Sequence, residues 1–214
     1  KEKYNVGIIN EQGDNLCYKQ ELETLGVELF NITPRRRNPI KNLYEIKKLF
    51  KENHFDIFHC NVNTLSYAEP IYQALKNDCK VIVHSRNAGN NESTITKILH
   101  RINFQRLKNK NVIRIAVSKK AGDWLFGENS DFRILHNGID VLKYKYSENA
   151  RENIQRELGI YNKFVLGHVG IFLPTKNQKF IIEILEEIVK KRKVSDVMLL
   201  LIGDGQERHL VEYG

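Results

Sequence analysis

The run Val197-Met198-Leu199-Leu200-Leu201-Ile202 is apolar at every position. Side chains along a strand point alternately to opposite faces, so an unbroken apolar run belongs to a strand covered on both sides. Sheets of that kind are built from parallel strands joined by crossover helices. The rest of the chain agrees, since short apolar runs alternate with helical patterns throughout. The expectation is an α/β fold, with strands near Val6–Ile9, Val27–Ile32, Asp56–Cys60, Lys80–His84, Val112–Val117, Phe132–Leu135, Phe164–Val169 and Val197–Ile202, several of them central. Between them Leu43, Ile46, Leu49 and Phe50 recur at helical spacing, as do Ile181, Ile184, Leu185 and Ile188. Ser118 is placed to cap a helix over Lys119–Phe126 that Gly127 ends. Asn137-Gly138 is a turn signal, and Tyr144–Ala150 has few apolar residues, so the passage between two domains, 1–140 and 141–214, is expected there. The second domain offers two strands, too few to close a core, and no glycine-rich loop opens the first. A chain cut short, with its first strand missing, is the expectation.

With 41% hydrophobic residues in 214, the chain can bury a core and does not read as disordered. No run reaches the roughly 18 apolar residues of a membrane span, and Lys1–Asn5 opens no signal peptide, which suggests a cytoplasmic protein. Cys17, Cys60 and Cys79 have no paired metal spacing and read as reduced thiols. A formal charge of +8 invites an anionic partner: nucleic acid, anionic lipid or a phosphorylated small molecule. Nucleic acid is disfavoured, because neither a recognition motif nor an ordered set of stacking aromatics is present. The charge concentrates in Arg35-Arg36-Arg37, between Pro34 and Pro39, and in Lys97–Arg114, which reads as a basic amphipathic helix or as a plain solvated face.

The stretch from Gly167 to Gln178, with Gly170, Ile171, Lys176 and Asn177, runs from an apolar strand through a loop into a helix. Free backbone N–H groups, the positive end of the helix dipole and a lysine at its mouth make a site for a diphosphate. Ligands of open α/β sheets bind at this carboxyl edge of the strands. By spacing alone, a solvated lysine beside a turn proline fits equally.

His168-Val169-Gly170-Ile171-Phe172 followed by Lys176-Asn177 resembles the signature that opens the donor domain of glycosyltransferase family 4, especially its bacterial exopolysaccharide and capsule enzymes. In the same order come Asp56-Ile57-Phe58-His59, Val83-His84-Ser85-Arg86-Asn87, the stretch from Ala116 to Gly127, His136-Asn137-Gly138-Ile139-Asp140 and Leu200-Leu201-Ile202-Gly203-Asp204-Gly205. The resemblance implies a GT-B fold of two Rossmann-like parallel-sheet domains, the second incomplete here. It also implies a retaining, metal-independent transferase that needs no cofactor. A UDP- or GDP-sugar would be the donor, and a saccharide or lipid-linked saccharide the acceptor, in surface polysaccharide synthesis. Peripheral contact with an anionic membrane surface at the cytoplasmic face would suit the basic segments.

Carried over residue by residue, Lys176 matches the phosphate-contacting lysine, with Gly170, Ile171 and Asn177 in the same loop. His84 matches the histidine that faces sugar and acceptor, which makes it the candidate catalytic residue. His59 lies on a neighbouring strand, Gly203 and Asp204 follow the last strand, and His168, inside a strand, reads as structural. Where the family has arginine after its loop glycine, this chain has Ile171. An aliphatic side chain neutralises no phosphate, so about 2–4 kcal/mol of leaving-group stabilisation is absent unless another group supplies it. Two other readings keep the fold: a non-catalytic remnant with residual nucleotide binding, and a GT-B-like nucleotide-sugar epimerase.

Overall fold

The computed structural model describes residues 4–89 and 92–212. The chain divides between Ile139 and Asp140 into two compact units. In the first, β1 (Gly7–Asn10) and β2 (Glu28–Asn31) pair in parallel. A second parallel sheet has the order β3 (Ile57–Val62), β4 (Lys80–Ser85), β5 (Val112–Ala116) and β6 (Arg133–Ile134). Its crossovers are α3 (Glu69–Lys76), α4 (Thr94–Leu107) and α5 (Lys119–Phe126), while α1 (Lys19–Thr24) joins β1 to β2 and α2 (Pro39–Glu52) joins β2 to β3. Every strand of the unit therefore ends its C-terminal edge in a loop on the side where ligands of such sheets bind.

The apolar runs account for this arrangement. Val81 and Val83 of β4 are almost fully buried, with Ile46 and Phe50 of α2, Ile71 and Ala74 of α3 and Leu125 of α5 packed around them. Phe50 meets Phe55 and Phe58 edge to face, with ring centroids 5.6 and 5.1 Å apart. Asn38 caps α2 by accepting from the Lys41 N–H at 3.0 Å, and Pro39 occupies the first turn, where its missing N–H costs nothing. Ser118 caps α5 in the same way, accepting from Ala121 N–H, and Gly127 follows its last residue at φ +88°. The α2 stripe holds one surprise: its first buried position is Asn42 rather than Leu43, which is only half-buried.

The basic segment is shorter as a helix than its composition suggests. Helix α4 stops at Leu107, and Arg114 lies in β5, its guanidinium donating to the Lys108 carbonyl at 2.6 Å. The faces of α4 also run against composition. Its inner side carries His100 and Asn103, which bond the backbone of Leu65 through N–H and C=O, together with Leu107. Ile95, Ile98 and Ile102 face outward.

The second unit contains α6 (Glu148–Leu158), the parallel pair β7 (Phe164–Val169) and β8 (Val197–Ile202), α7 (Gln178–Arg192) and α8 (Arg208–Glu212). The continuous apolar run of β8 does not make it a central strand here. Among the described residues it pairs with β7 alone, and its side chains are half-buried, with Ile202 exposed. Asn137-Gly138 forms no turn, and Gly138 keeps an ordinary φ. The turn lies just beyond, where the Asp140 carboxylate accepts from Leu142 N–H and Lys143 N–H at 3.1 and 3.2 Å. Nor is Tyr144–Ala150 all linker, since α6 starts at Glu148 under a Ser147 cap.

Candidate functional site

In the first unit the pairing of β3 with β4 sets His59 opposite Ile82 and His84 opposite Asn61. The two histidines are diagonal neighbours on one face, close to the C-terminal edge. Their rings stack with centroids 5.3 Å apart and 11° between planes, and His59 Nε2 lies 3.2 Å from His84 Nδ1. That contact is a hydrogen bond when one ring donates and the other accepts, which two neutral imidazoles of complementary tautomer satisfy. His84 is 3% exposed, and its Nε2 is buried without a well-formed hydrogen bond, although the Leu135 backbone lies close enough to act on the ring. Burial, with the Arg86 guanidinium nearby, pushes His84 below the ordinary histidine range, and the charge of His59 adds to this. Partial desolvation and Arg86 push His59 the same way. The result is a neutral imidazole whose second nitrogen is buried and only weakly engaged, by the Leu135 backbone.

In the second unit the loop after β7 carries Gly170, Ile171, a single 3-10 turn at Pro174–Lys176, and Asn177. Asn177 takes the left-handed conformation at φ +49°, which asparagine tolerates better than most residues, and the 15-residue α7 starts directly after it. Lys176 and Asn177 are exposed, and Lys176 makes no ion pair among the described residues. Gln178, 1% exposed, donates from Nε2 to the Ile171 carbonyl at 2.9 Å and fixes the loop from inside. The Ile171 side chain is 52% exposed beyond it.

The loop after β8 packs directly on this one. Phe172 N–H donates to the Asp204 carbonyl and Gly170 N–H to the Ile202 carbonyl, both at 2.9 Å, while Glu207 N–H donates to the Phe172 carbonyl at 3.2 Å. A Cβ at Gly203 would stand 2.0 Å from the Gly170 carbonyl oxygen, and one at Gly205 2.4 Å from that of Phe172. The close approach these glycines permit is thus to the chain itself. The Asp204 side chain is exposed, its carboxylate accepting from Gly205 N–H at 2.8 Å and lying 3.8 Å from an Arg208 nitrogen.

Two groups of candidate residues therefore assemble, one in each unit: His59 with His84, and Gly170, Ile171, Lys176 and Asn177 with Gly203 and Asp204. Sequence reasoning overlooked Arg86, whose charge acts on both histidines, and Gln178, which anchors the loop. For Gln178 a signal existed: it occupies an inward position three residues before Ile181, where the stripe calls for an apolar side chain. Arg86 stands two residues after His84, the spacing that returns to one face of a strand.

No protein-family profile matches the chain. It is 26% identical over 214 residues to the candidate glycosyltransferase EpsF of Bacillus subtilis (strain 168), covering 96% of this chain and 55% of that protein. It is 22% identical over 195 residues to the Escherichia coli UDP-Gal:alpha-D-GlcNAc-diphosphoundecaprenol alpha-1,3-galactosyltransferase, covering 81% of this chain and 47% of that one. The chain thus spans about half the length of the curated relatives it matches. Among solved structures it superposes on Anabaena HepE in complex with UDP with a TM-score of 0.71 at 21% identity, over 92% of this chain and 53% of that one. With a candidate UDP-N-acetylglucosamine 2-epimerase from Listeria monocytogenes the TM-score is 0.55 at 14% identity, over 92% and 53%. The architecture is α/β of GT-B type, with Rossmann-like parallel-sheet units.

Proposed function

We propose that this chain belongs to a glycosyltransferase of the family 4 type. It would move a sugar from a UDP- or GDP-sugar, with retention and without a metal, to a saccharide acceptor in surface polysaccharide synthesis. The observation that carries the reading is the β7–α7 loop: an unpaired lysine at the mouth of a long helix, at the carboxyl edge of a parallel strand. The likeness to two proteins named as glycosyltransferases supports it, as does the likeness of fold to a UDP complex.

In this reading Lys176 and the first N–H groups of α7 take the donor's diphosphate and offset its charge as it leaves. Gly170 and the Ile171 backbone keep the loop narrow, Asn177 sets the turn, and Gly203 and Asp204 brace it from the next strand. His84 offers its weakly engaged Nε2 to the sugar or acceptor hydroxyls, and His59 fixes its tautomer. The acceptor is lipid-linked, as in the name of the Escherichia coli relative. Work at the cytoplasmic membrane face would suit the outward Ile95, Ile98 and Ile102 of α4, which lie beside Lys97 and Arg101. Among the described residues no helix is long and apolar enough to cross a membrane.

Calorimetric titration with UDP, GDP and their sugar conjugates tests this. Saturable binding is expected to weaken in Lys176→Ala and strengthen in Ile171→Arg, which adds a phosphate partner beside the loop. Equal binding by all three proteins would reject the loop as the donor site. The epimerase reading, which the Listeria likeness favours, is separated by turnover: epimerisation of the donor with no acceptor present supports it against transfer.

A further inference from the structure

The tight turn after β2 places Arg35, Arg36 and Arg37 side by side at the C-terminal edge of the first unit, with Arg37 N–H and Asn38 N–H both donating to the Pro34 carbonyl at 2.9 and 3.1 Å. Arg35 is half-buried, its guanidinium carbon 4.4 Å from the centre of the Tyr67 ring. That ring stands on a rigid support. The Tyr67 hydroxyl donates to Asn42 Oδ1, and Asn42, fully buried, donates from Nδ2 to the Thr33 carbonyl at 2.8 Å and to Glu11 Oε1 at 2.9 Å. Burial, with the charges of Glu11 and Glu69, pushes the Tyr67 hydroxyl up to about 12, so it stays a neutral donor.

The carboxylates around the turn are engaged elsewhere. Glu11 accepts from Asn42, and Glu45 accepts from Thr33 N–H at 2.6 Å and lies 3.7 Å from Lys41 Nζ. Among the described residues none forms an ion pair with the three guanidiniums. Three adjacent like charges repel one another, and here one of them is locked in place on an aromatic face instead of being free to swing away. Glu11 and Glu69 bring negative charge to the Tyr67 ring, yet neither holds a guanidinium of the turn in an ion pair. Guanidinium forks match phosphate oxygens two at a time, whereas a headgroup surface asks only for charge. Tyr67, on which Arg35 rests, follows β3, the strand paired with the one that carries His84.

We propose that the Arg35–Arg37 turn, set on Tyr67, is the site that holds the diphosphate of a prenyl-diphosphate-linked acceptor. The proposal rests on the transferase reading above and supplies its acceptor site. It separates the two phosphate groups of the reaction: the acceptor's lies in the first unit at this turn, the donor's in the second at Lys176.

The test uses the whole 214-residue chain, labelled with nitrogen-15, with UDP present in excess to occupy any nucleotide site. The Nε–H resonances of Arg35, Arg36 and Arg37, assigned from single Arg→Lys variants, are followed through titrations with geranyl diphosphate, with inorganic phosphate and with phosphatidylglycerol vesicles. Geranyl diphosphate should shift all three saturably and far more tightly than inorganic phosphate. The double variant Arg36→Gln, Arg37→Gln, both positions exposed and safe to fold, should bind it at least about tenfold more weakly. The charge-conserving Arg36→Lys, Arg37→Lys should also lose much of that binding while holding vesicles as well as the parent does.

Resonances that move with vesicles but not with geranyl diphosphate would overturn the proposal in favour of a headgroup contact. Equal affinity for inorganic phosphate, or an unchanged double variant, would overturn it too. UDP binding that Lys176→Ala abolishes while the arginines stay still sinks this inference alone. Geranyl diphosphate binding in a chain that ignores UDP sinks the donor reading instead.

Discussion

Replacing Gly203 with alanine adds one methyl group, which the structure places 2.0 Å from the Gly170 carbonyl oxygen and 2.9 Å from its carbon. Both obstacles are backbone, so no side chain can swing aside, and the residue's φ of +154° is one that L side chains rarely adopt. Real Cβ contacts do not fall below 3.0 Å, so the β7 and β8 loops must part by at least the missing 1 Å. That stretches the bonds from Gly170 N–H to the Ile202 carbonyl and from Phe172 N–H to the Asp204 carbonyl, both 2.9 Å, beyond useful range. Backbone strain of about 1–3 kcal/mol and two lost hydrogen bonds of about 1 kcal/mol each give a loss of about 3–5 kcal/mol. Trp124, the single tryptophan, lies in the first unit, so its fluorescence follows that unit while circular dichroism follows both. In urea the part of the dichroism transition not shared with Trp124 should move to lower concentration by about 1 M or more. Gly138→Ala is the control, because nothing lies within 4 Å of its Cβ position and its φ is ordinary. A Gly203→Ala midpoint no lower than that of the control would refute the argument.

Asn42→Ala removes the hub that ties Thr33, Glu11 and Tyr67 together and leaves buried polar groups unpaired. A loss of about 2–4 kcal/mol is expected from the Trp124 transition, and a loss under about 1 kcal/mol would show that water replaces the amide. Ser118→Ala should cost about 1 kcal/mol through its lost cap, and Ser118→Asp should restore most of it in the same measurement. Burial lowers His59, His84 and His100, so below their ordinary value of 6.5 the unfolded chain takes up protons that the folded chain refuses. Stability should therefore be present above that pH and be lost as pH falls below it; melting temperatures that stay flat or rise on acidification would contradict this. Burial pushes the Cys60 thiol up to about 12, whereas Cys17 is exposed. Iodoacetamide should label Cys17 in the native chain and Cys60 only after unfolding, which peptide mass mapping resolves.

Much of the architecture was legible in local pattern. Phe164–Val169 and Val197–Ile202 begin and end where their apolar runs do, and Ser118 and Gly127 bound α5 as their cap chemistry requires. Strand runs and cap signals depend on neighbours a few residues away, so one sequence displays them. The strand, turn and helix around Lys176 were legible for the same reason, since their signals follow one another along the chain.

Which face of an element points inward is decided by what lies across from it. The isoleucines of α4 face out because His100 and Asn103 find partners on the distant backbone of Leu65, a match that no periodicity records. Strand β8 is apolar throughout yet is not enclosed, because enclosure depends on neighbouring strands and not on its own residues. Gly203 and Gly205 follow the last strand, and only the tertiary structure shows that the Gly170 and Phe172 backbone lies against them. His59 and His84 were singled out separately, 25 residues apart, and only the register of β3 on β4 brings their nitrogens to 3.2 Å. The sequence by itself determined the elements and the chemical groups available, through short-range propensity and patterning. The tertiary structure decided which groups meet and which are buried, because strand register and burial are set by contacts between segments far apart in the chain.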